Sequence, residues 1–576
     1  MKFKRLSLVV ATLTLMLILS GLVVYADSEQ ELGGCTSLAV SPGATVDGSA
    51  MCTHTDDSGS DTFYVSIVRE ADWEPGTMRP VLNYTDRGPL YHVDKPIYQT
   101  GEIPQVAHTF AYTNTSYSFQ NEMGVGMGES TIGGANECRN SNGMFEQTEL
   151  MRVALERATT AREAIQIMGS LAEKYGYISS GEMRAVIDGN EAWVFEIYGP
   201  GALWTPDSGK PGTVWVAQKV PDGEIAVCAN KSVIGAIDLK DTENFMASSN
   251  IYSLAEELGL WDPKSGIEFK VYDTYGKSSY GVANSRRVWR VFDLLTPSIK
   301  RSPWVWHYPF SVKPDKPVSA QDIIRITRDV LEGTEFDMTT GLAAGPFADP
   351  FRYAVRKGEG LPGSFGAERC LTKPWATWST VVVARKDMPP WIGSLVWFAY
   401  DYALTACYMP IYAGTTVMPK SFATGRRGGG YDVLSRESAW WAFQVVANYA
   451  QRIWSYMFED IKVVRDSLEA DFFALQPTIE KAALELYEKD PALARTFITN
   501  YTNSCANRSV DAYWELASNL FGRYNDQSKY ADNVYKTESI YYPDWWAKAV
   551  EFGKTTIIPE GYPWYTIDQE KAPVVK

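Results

Sequence analysis

The chain has 576 residues, of which 45% are hydrophobic and 21% are charged. This composition excludes a disordered, collagen-like or low-complexity protein, because such chains lack the apolar residues that a core needs. The net charge of −15 argues against nucleic acid or anionic lipid as partners, since binding to either depends on Lys and Arg neutralising phosphate.

The first 26 residues have the three parts of a secretory signal peptide. Lys2, Lys4 and Arg5 precede an apolar run over residues 6–24, and the segment ends in Val-Tyr-Ala before an aspartate. We therefore expect a signal peptide over residues 1–26. The remaining chain is predicted to be secreted or periplasmic, with no membrane contact after signal removal.

Residues 27–34 are predicted to be a short propeptide. They are acidic and end in two glycines, which indicates cleavage between Gly34 and Cys35. The sequence Leu-Gly-Gly-Cys over residues 32–35 also resembles a lipobox, whose cysteine carries a lipid. A lipobox directly follows the apolar run, whereas here eight residues intervene, three of them acidic. A lipid-anchored, non-catalytic binding protein is kept as an alternative.

The mature part of the chain shows antiparallel strand patterns first and long helical patterns at its end. Asp-Gly at 47–48 predicts a hairpin turn, and a second hairpin over 109–127 is predicted to turn at 121–124. Further strands are predicted at 36–40, 50–53, 183–187, 192–197, 215–219, 225–229, 380–384 and 395–399. The segment 149–175 is predicted to form one helix or a pair of helices. Further helices are predicted at 251–260, 286–295, 439–486 and 493–521.

Because the helices are segregated from the strands, the pattern favours an α+β fold of stacked layers over alternating βαβ units. The aromatic residues of the last helices are predicted to pack rather than to bind a ligand. We expect one domain over residues 35–430 and a helical C-terminal region over residues 431–576 that packs on it.

A cysteine that begins a mature chain carries two useful groups, a thiol and a free α-amino group. The amine has an ordinary pKa of about 7.7–8.0, so part of it is neutral at pH 7 and able to act as a base. Such a residue needs no separate histidine, and this chain has only four. The CxxC, HExxH and GxxxxGK(S/T) patterns are absent, so no zinc centre, metalloprotease site or phosphate-binding loop is predicted.

Several short motifs carry a resemblance to a known family. They are CTS at 35–37, TVDGS at 45–49, DDS at 56–58, NEMGVGM at 121–127, GNEAWVFE at 189–196, VCANKSVI at 227–234, WHYPFSVKP at 306–314 and YMPIYAG at 408–414. In this order they resemble the C69 dipeptidases, which are N-terminal nucleophile hydrolases related to secernins and penicillin V acylases. The resemblance implies a four-layer αββα sandwich and amide hydrolysis through an acyl-enzyme on Cys35.

The resemblance also implies roles for other residues. Asp57 matches the acidic residue placed to hold the α-amino group, and Asn230 matches the asparagine that assists the oxyanion hole in the acylase relatives. Arg286, in a segment with three arginines, resembles their active-site arginine. We therefore expect Cys35, Asp57, Asn230 and Arg286 to be catalytic, although turn-forming or solvated side chains of these types are common.

His54 stands where related hydrolases commonly carry an arginine, three residues before Asp57. A protonated imidazole there would lower the pKa of a nearby thiol, and a plain strand histidine is the alternative. Glu129 and Thr131 follow the second predicted hairpin. We expect His54, Glu129 and Thr131 to line the substrate site, and we expect no metal or cofactor.

The resemblance predicts a cysteine dipeptidase acting on dipeptides or short peptides. An acylase that hydrolyses non-peptide amides, of the penicillin V or bile-salt type, is the enzymatic alternative, because the same machinery serves both. A homo-oligomer is left open. In an exported protein the other six cysteines either form up to three disulfides or are buried thiols: Cys52, Cys138, Cys228, Cys370, Cys407 and Cys505.

Overall fold

The computed structural model describes residues 34–57, 64–83, 98–277, 281–354, 369–424, 433–530 and 537–552. The predicted signal peptide and residues 27–33 of the predicted propeptide lie outside the described residues. Gly34 is described, and it is joined to Cys35.

Strands and helices are numbered in chain order. The strands are β1 (Ser37–Val40), β2 (Ala50–Asp56), β3 (Ser66–Val68), β4 (Ala71–Asp72), β5 (Met78–Asn83), β6 (Tyr98–Pro104), β7 (His108–Thr109), β8 (Tyr112–Asn114), β9 (Gly126–Ser130), β10 (Gly181–Ile187), β11 (Ala192–Tyr198), β12 (Val214–Lys219), β13 (Ile225–Cys228), β14 (Phe245–Ala247), β15 (Ser311–Val312), β16 (Trp378–Ala384), β17 (Leu395–Tyr400), β18 (Met409–Tyr412), β19 (Tyr524–Asn525), β20 (Ser528–Tyr530) and β21 (Thr537–Ser539). The helices are α1 (Gln147–Arg157), α2 (Ala161–Tyr175), α3 (Ser253–Glu257), α4 (Val271–Thr274), α5 (Val282–Leu295), α6 (Ala320–Thr327), α7 (Gly341–Ala344), α8 (Pro390–Gly393), α9 (Lys420–Ala423), α10 (Ala439–Ala450), α11 (Trp454–Tyr487), α12 (Pro491–Arg523) and α13 (Asp544–Ala549).

Two large antiparallel sheets form the centre of the described part of the chain. One has the strand order β15-β13-β1-β2-β16-β17-β18, and the other has the order β14-β12-β11-β10-β9. Each predicted strand lies in one of these two sheets. The fold is thus mixed α and β, and the prediction of antiparallel strands is confirmed, although helices also lie between strands along the chain.

The two sheets pack against each other where β1 and β2 face β9 and β10. Gly128 of β9 allows the closest approach, because a Cβ there would lie 2.6 Å from Oγ of Ser37 and would collide with the carbonyl oxygen of Thr53. The helix α2 packs on β10, β11 and β12, and α12 packs on β18. The start of β1 and the end of β9 therefore lie together between the sheets.

The predicted turns form, although one strand has a different partner. Gly48 has a φ of 74° in the turn before β2, a conformation that glycine adopts without strain. Asn121 accepts hydrogen bonds from the backbone N–H of Met123 and of Val125 at 3.1 and 2.9 Å, which fixes the second turn. The second hairpin is reduced to isolated bridges, however, because β9 pairs along its length with β10.

The C-terminal helices differ from the prediction in one respect. The segment predicted as one helix over residues 439–486 forms two, α10 and α11, and the pattern over 149–175 also resolves into a pair. Two buried ion pairs connect α11 to the rest of the molecule: Arg385 with Glu480 and Arg328 with Glu469. No helix among the described residues has the length and apolarity that crossing a bilayer requires.

All seven cysteines lie among the described residues, and none of them is paired. The disulfide alternative is therefore wrong, and the alternative of buried thiols holds. All seven thiols are buried. Free cysteine is among the most buried residue types and packs as a small hydrophobic side chain.

Candidate active site

Cys35 lies two residues before the start of β1 and is 4% exposed. Its carbonyl oxygen accepts hydrogen bonds from Oγ of Ser130, at 3.1 Å, and from Nη1 of Arg287, at 2.9 Å. Ser130 ends β9 and Arg287 lies on α5, so both neighbouring layers fix the main chain at this cysteine.

Asp57 follows β2, and its carboxylate is fully buried. It accepts hydrogen bonds from the backbone N–H of Lys373 at 3.0 Å and from the hydroxyl of Thr55 at 3.2 Å. Nη2 of Arg369 lies 2.5 Å from the carboxylate and also donates to the carbonyl oxygen of Gly34. Arg369 therefore connects Asp57 to the residue that precedes Cys35.

Gly34 occupies a position that only glycine fits. Its φ is 152°, which side-chain-bearing residues rarely adopt, and a Cβ would lie 2.6 Å from Nη1 of Arg369 and would collide with the side-chain amide of Asn230. The predicted cleavage position is thus a tightly enclosed glycine beside the candidate nucleophile.

Asn230 follows β13 with a φ of 55°, a left-handed conformation that asparagine tolerates. Its Oδ1 accepts hydrogen bonds from Arg287 at 2.7 Å and from Arg369 at 2.8 Å. Its Nδ2 donates to the carbonyl oxygen of Thr131 at 2.8 Å. The structure therefore places Asn230 in the site, where it orients two guanidinium groups while its own amide N–H holds the end of β9.

The arginine of α5 that faces Cys35 is Arg287, and the prediction of Arg286 needs correction. Besides Cys35, Arg287 donates to Oγ1 of Thr36 at 2.8 Å. The guanidinium of Arg286 lies over the rings of Trp304 and Phe336, 4.3 and 3.3 Å from their centroids. Adjacent helical residues point about 100° apart, so only one of the two arginines is able to face the site.

His54, Glu129 and Thr131 come together, as the sequence predicts, but in a closed environment. His54 and Glu129 are fully buried, with 3.2 Å between Nε2 and Oε2, and Thr131 donates to Glu129 at 2.9 Å. Burial by itself raises the pKa of the Glu129 carboxyl. The opposite effect is larger and lowers this pKa to about 2, because His54 contacts the carboxylate and attracts its charge, the Glu182 side chain contacts it, and Arg184 attracts its charge.

The electrostatics keep the Cys35 thiol protonated. Burial raises its pKa well above the ordinary value, and the charges of Glu129, Asp56 and Asp57 raise it further, while the backbone N–H of Asp57 acts in the opposite direction. Burial, with a further contribution from Arg369, lowers the pKa of Lys373 to about 6. A base is therefore needed before the thiol attacks a carbonyl.

Sequence reasoning missed four residues of this arrangement, namely Ser130, Arg287, Arg369 and Lys373. Ser130 stands between two predicted residues, Glu129 and Thr131, and so was within reach. Arg287 stands beside the predicted Arg286 in the segment with three arginines. Arg369 and Lys373 approach from far along the chain, and no local spacing connects them to Cys35.

Comparison with known proteins identifies the family. The family model described as peptidase family C69 matches residues 34–466. The chain belongs to peptidase family C69. This membership confirms the predicted family and, with it, the prediction of a cysteine peptidase.

Relatives of this C69 peptidase are 23–27% identical to it. A probable dipeptidase of Latilactobacillus sakei is 27% identical over 326 residues, which are 53% of this chain and 62% of the relative. A probable dipeptidase B of Streptococcus pyogenes serotype M1 is 24% identical over 65% of this chain and 71% of its own length. Dipeptidase A of Lactobacillus helveticus is 23% identical over 68% of this chain and 77% of its own length.

The lowered pKa of Glu129 predicts a dependence of stability on acid. The folded C69 peptidase favours the charged carboxylate, so this stabilisation is complete above the ordinary pKa of 4.5 and is lost as the pH falls towards 2. In Glu129→Gln we expect the loss in free energy of unfolding between pH 7 and pH 3 to shrink by about 2 kcal/mol. Urea unfolding at about pH 7 and pH 3 measures it.

Glu257→Gln, which changes an exposed carboxylate on α3, is the control and should keep the acid dependence of the unaltered protein. An identical acid dependence in Glu129→Gln and the unaltered protein would contradict a carboxylate held charged by its surroundings.

Proposed function

We propose that this chain is an exported dipeptidase whose nucleophile is the thiol of an N-terminal Cys35, exposed by cleavage after Gly34. The observation that carries the proposal is the peptide bond before Cys35, which is held on both sides. Arg369 binds the carbonyl oxygen of Gly34, while Ser130 and Arg287 bind the carbonyl oxygen of Cys35. The relatives named dipeptidases support the choice of substrate.

The proposed fold is a four-layer αββα sandwich. The packing of β1 and β2 on β9 and β10 supports two central layers. Helix α2 on one sheet and α11 and α12 on the other support the two outer layers. In this arrangement Cys35 opens a strand of a central sheet and lies beside the other.

In the proposed reaction, Sγ of Cys35 attacks the scissile carbonyl carbon, and the free α-amino group accepts the thiol proton, directly or through a water molecule. The proton passes to the leaving amine as the C–N bond breaks, and a thioester forms. Water then attacks the thioester, which restores the thiol and releases the acid. Arg369 is the proposed oxyanion donor, since it already binds a carbonyl oxygen at this place, and one such donor contributes about 2.7–4 kcal/mol.

The charges around Cys35 favour a dipeptide over the amide substrates of acylases. Glu129, Asp56 and Asp57 all raise the pKa of the thiol, so the negative potential of three carboxylates acts at the nucleophile beside the positive charges of Arg287 and Arg369. A free dipeptide carries an ammonium group next to its scissile carbonyl, and such a potential stabilises it. Penicillin V and N-acylated peptides have no charge there.

The substrate class is tested with matched amides. We expect hydrolysis of free dipeptides and a rate at least about tenfold lower for the same dipeptides with an acetylated α-amino group. Bile-salt conjugates and penicillin V should be poor substrates. Turnover restricted to these non-peptide amides would overturn the proposal in favour of the acylase alternative.

Maturation gives a second test of the same proposal. In Arg369→Met we expect the chain that retains Gly34 to accumulate, because the carbonyl of Gly34 loses its donor and cleavage slows on the order of 10²-fold. Intact mass spectrometry and N-terminal sequencing follow the cleavage. In the unaltered protein they should show an unmodified Cys35 as the first residue.

Arg325→Met, which replaces an exposed arginine of α6, is the matched control and should mature at the normal rate. Normal maturation of Arg369→Met would contradict the role of Arg369. A lipid adduct on Cys35 would instead support the lipid-anchored binding protein and end the proposal of a hydrolase.

A further inference from the structure

Three buried side chains beside the nucleophile form a set of metal-ligating groups. Sγ of Cys35, one ring nitrogen of His54 and one carboxylate oxygen of Glu129 lie within 4.8 Å of one another. All three residues are buried: His54 lies on β2, Glu129 lies on β9, and Cys35 lies two residues before β1. The sequence predicts all three at the candidate site but not as metal ligands, because the first and last members are 94 positions apart and form no spacing motif.

The ring of His54 and the carboxylate of Glu129 offer ligand atoms to an ion. Nδ1 of His54 has no hydrogen-bond partner among the described residues, while Nε2 of His54 and Oε2 of Glu129 form an ion-pair contact of 3.2 Å with each other without hydrogen-bond geometry. Buried polar atoms are normally satisfied, and those that are not need an explanation, such as an ion. The rings of Tyr117 and Trp378, edge-on to His54 at 5.1 and 4.7 Å, hold its imidazole in place.

We propose that Cys35, His54 and Glu129 bind a thiophilic divalent cation of the Zn²⁺ type and that the bound ion reversibly blocks the nucleophile. Tetrahedral zinc with bonds of about 2.0–2.3 Å places its ligand atoms about 3.3–3.7 Å apart. His54 and Glu129 are already 3.2 Å apart, so Cys35 needs to move by about 1 Å at most.

The chemistry of the three ligands selects the ion. Thiolate and imidazole favour Zn²⁺ over Mg²⁺ or Ca²⁺, which take oxygen ligands. A thiolate, a carboxylate and a neutral imidazole together balance two positive charges. Arg184 and Arg287 lie close to Glu129 and Cys35, so we expect binding weaker than that of a structural zinc site.

The bound ion acts as an inhibitor and takes no part in the reaction. When the Cys35 thiolate is a ligand, its lone pair is engaged and it no longer attacks a carbonyl. If the chain begins at Cys35, which rests on the proposed function, the α-amino group and the thiolate close a five-membered chelate ring on the same ion. Zinc then engages the nucleophile and its base together.

Binding is tested on the mature, untagged protein with ZnCl₂ and with Co²⁺ as a spectroscopic probe. We expect one ion per chain by calorimetry and a thiolate-to-cobalt charge-transfer band in the near ultraviolet. Cys35→Ala should lose the band, and His54→Ala and Glu129→Gln should each weaken Zn²⁺ binding by at least about tenfold. His307→Ala, which removes an imidazole distant from this set, should bind as the unaltered protein does.

A band that persists in Cys35→Ala, or the same Zn²⁺ affinity in all four variants, would overturn the proposal. Should a variant unfold, zinc protection of Cys35 from iodoacetamide in the unaltered protein decides instead, with protection expected and its absence contradictory. A second measurement, inhibition of dipeptide hydrolysis and its reversal by a chelator, depends on the proposed function. Zinc binding without dipeptidase activity would therefore contradict the proposed function alone.

Discussion

Replacement of Cys35 by alanine is expected to lower kcat/KM for dipeptides by at least about 10³-fold. The thiol is the nucleophile of the proposed reaction, and Arg287 binds the carbonyl oxygen of the same residue. The side chain is small and buried, so the change leaves a cavity of a single sulfur atom and the protein should fold. Steady-state kinetics on dipeptides, with circular dichroism as the check on folding, measures the effect.

Cys52→Ala is the matched control. Cys52 is equally buried, lies on β2 opposite Ala39, and contributes no contact to the candidate site. We expect a small loss of stability and nearly unchanged turnover. Equal losses of activity in the two variants would mean that cysteine removal acts through folding, and unchanged activity in Cys35→Ala would refute the assignment of the nucleophile.

Replacement of Arg287 by methionine is expected to have the second largest effect. It removes one of two donors from the carbonyl oxygen of Cys35 and from Oδ1 of Asn230, and it leaves the buried carbonyl oxygen of Ala229 without the guanidinium that binds it. We expect the free energy of unfolding to fall by about 1–3 kcal/mol, the cost of an unsatisfied buried group, and kcat/KM to fall on the order of 10²-fold. Urea unfolding and dipeptide kinetics measure the two effects.

Arg286→Met on the same helix separates the two neighbouring arginines. Its guanidinium lies over two aromatic rings, so the change should cost about 0.5–2 kcal/mol of stability. Turnover should stay within a few-fold of the unaltered protein. A larger loss of activity in Arg286→Met than in Arg287→Met would restore the prediction made from the sequence and contradict the placement of Arg287.

Much of the fold follows from local patterns in the sequence. Strands β10, β11, β12 and β13 and the two helices between Gln147 and Tyr175 all show a clear period of apolar residues, and all of them form. The pairing of β9 is not local. Its glycines let it approach β2, and β10 supplies the backbone partners, so the turn at Asn121 does not by itself decide the pairing.

The sequence predicts those residues of the candidate site that lie in recognisable motifs at the ends of strands. Cys35, Asp57 and Asn230 end up together because motifs at the ends of β-strands bring them to one place. Arg287 and Arg286 are indistinguishable by composition, since only the rotation of α5 against the sheet decides which one faces Cys35. Arg369 precedes β16 and reaches Gly34 from 335 positions away, a contact that no spacing rule contains.

The two ion pairs of α11 have a consequence for how the protein unfolds. Arg385 and Arg328 belong to the part of the chain that carries the large sheets, while Glu480 and Glu469 belong to the C-terminal helices. Separation of the two parts would break both ion pairs, and removal of one partner of a buried ion pair typically costs about 3–5 kcal/mol. We therefore expect the helices and the sheet that positions Cys35 to unfold as one cooperative unit, and a chain shortened before α10 to be destabilised because it lacks the carboxylates that pair with Arg328 and Arg385.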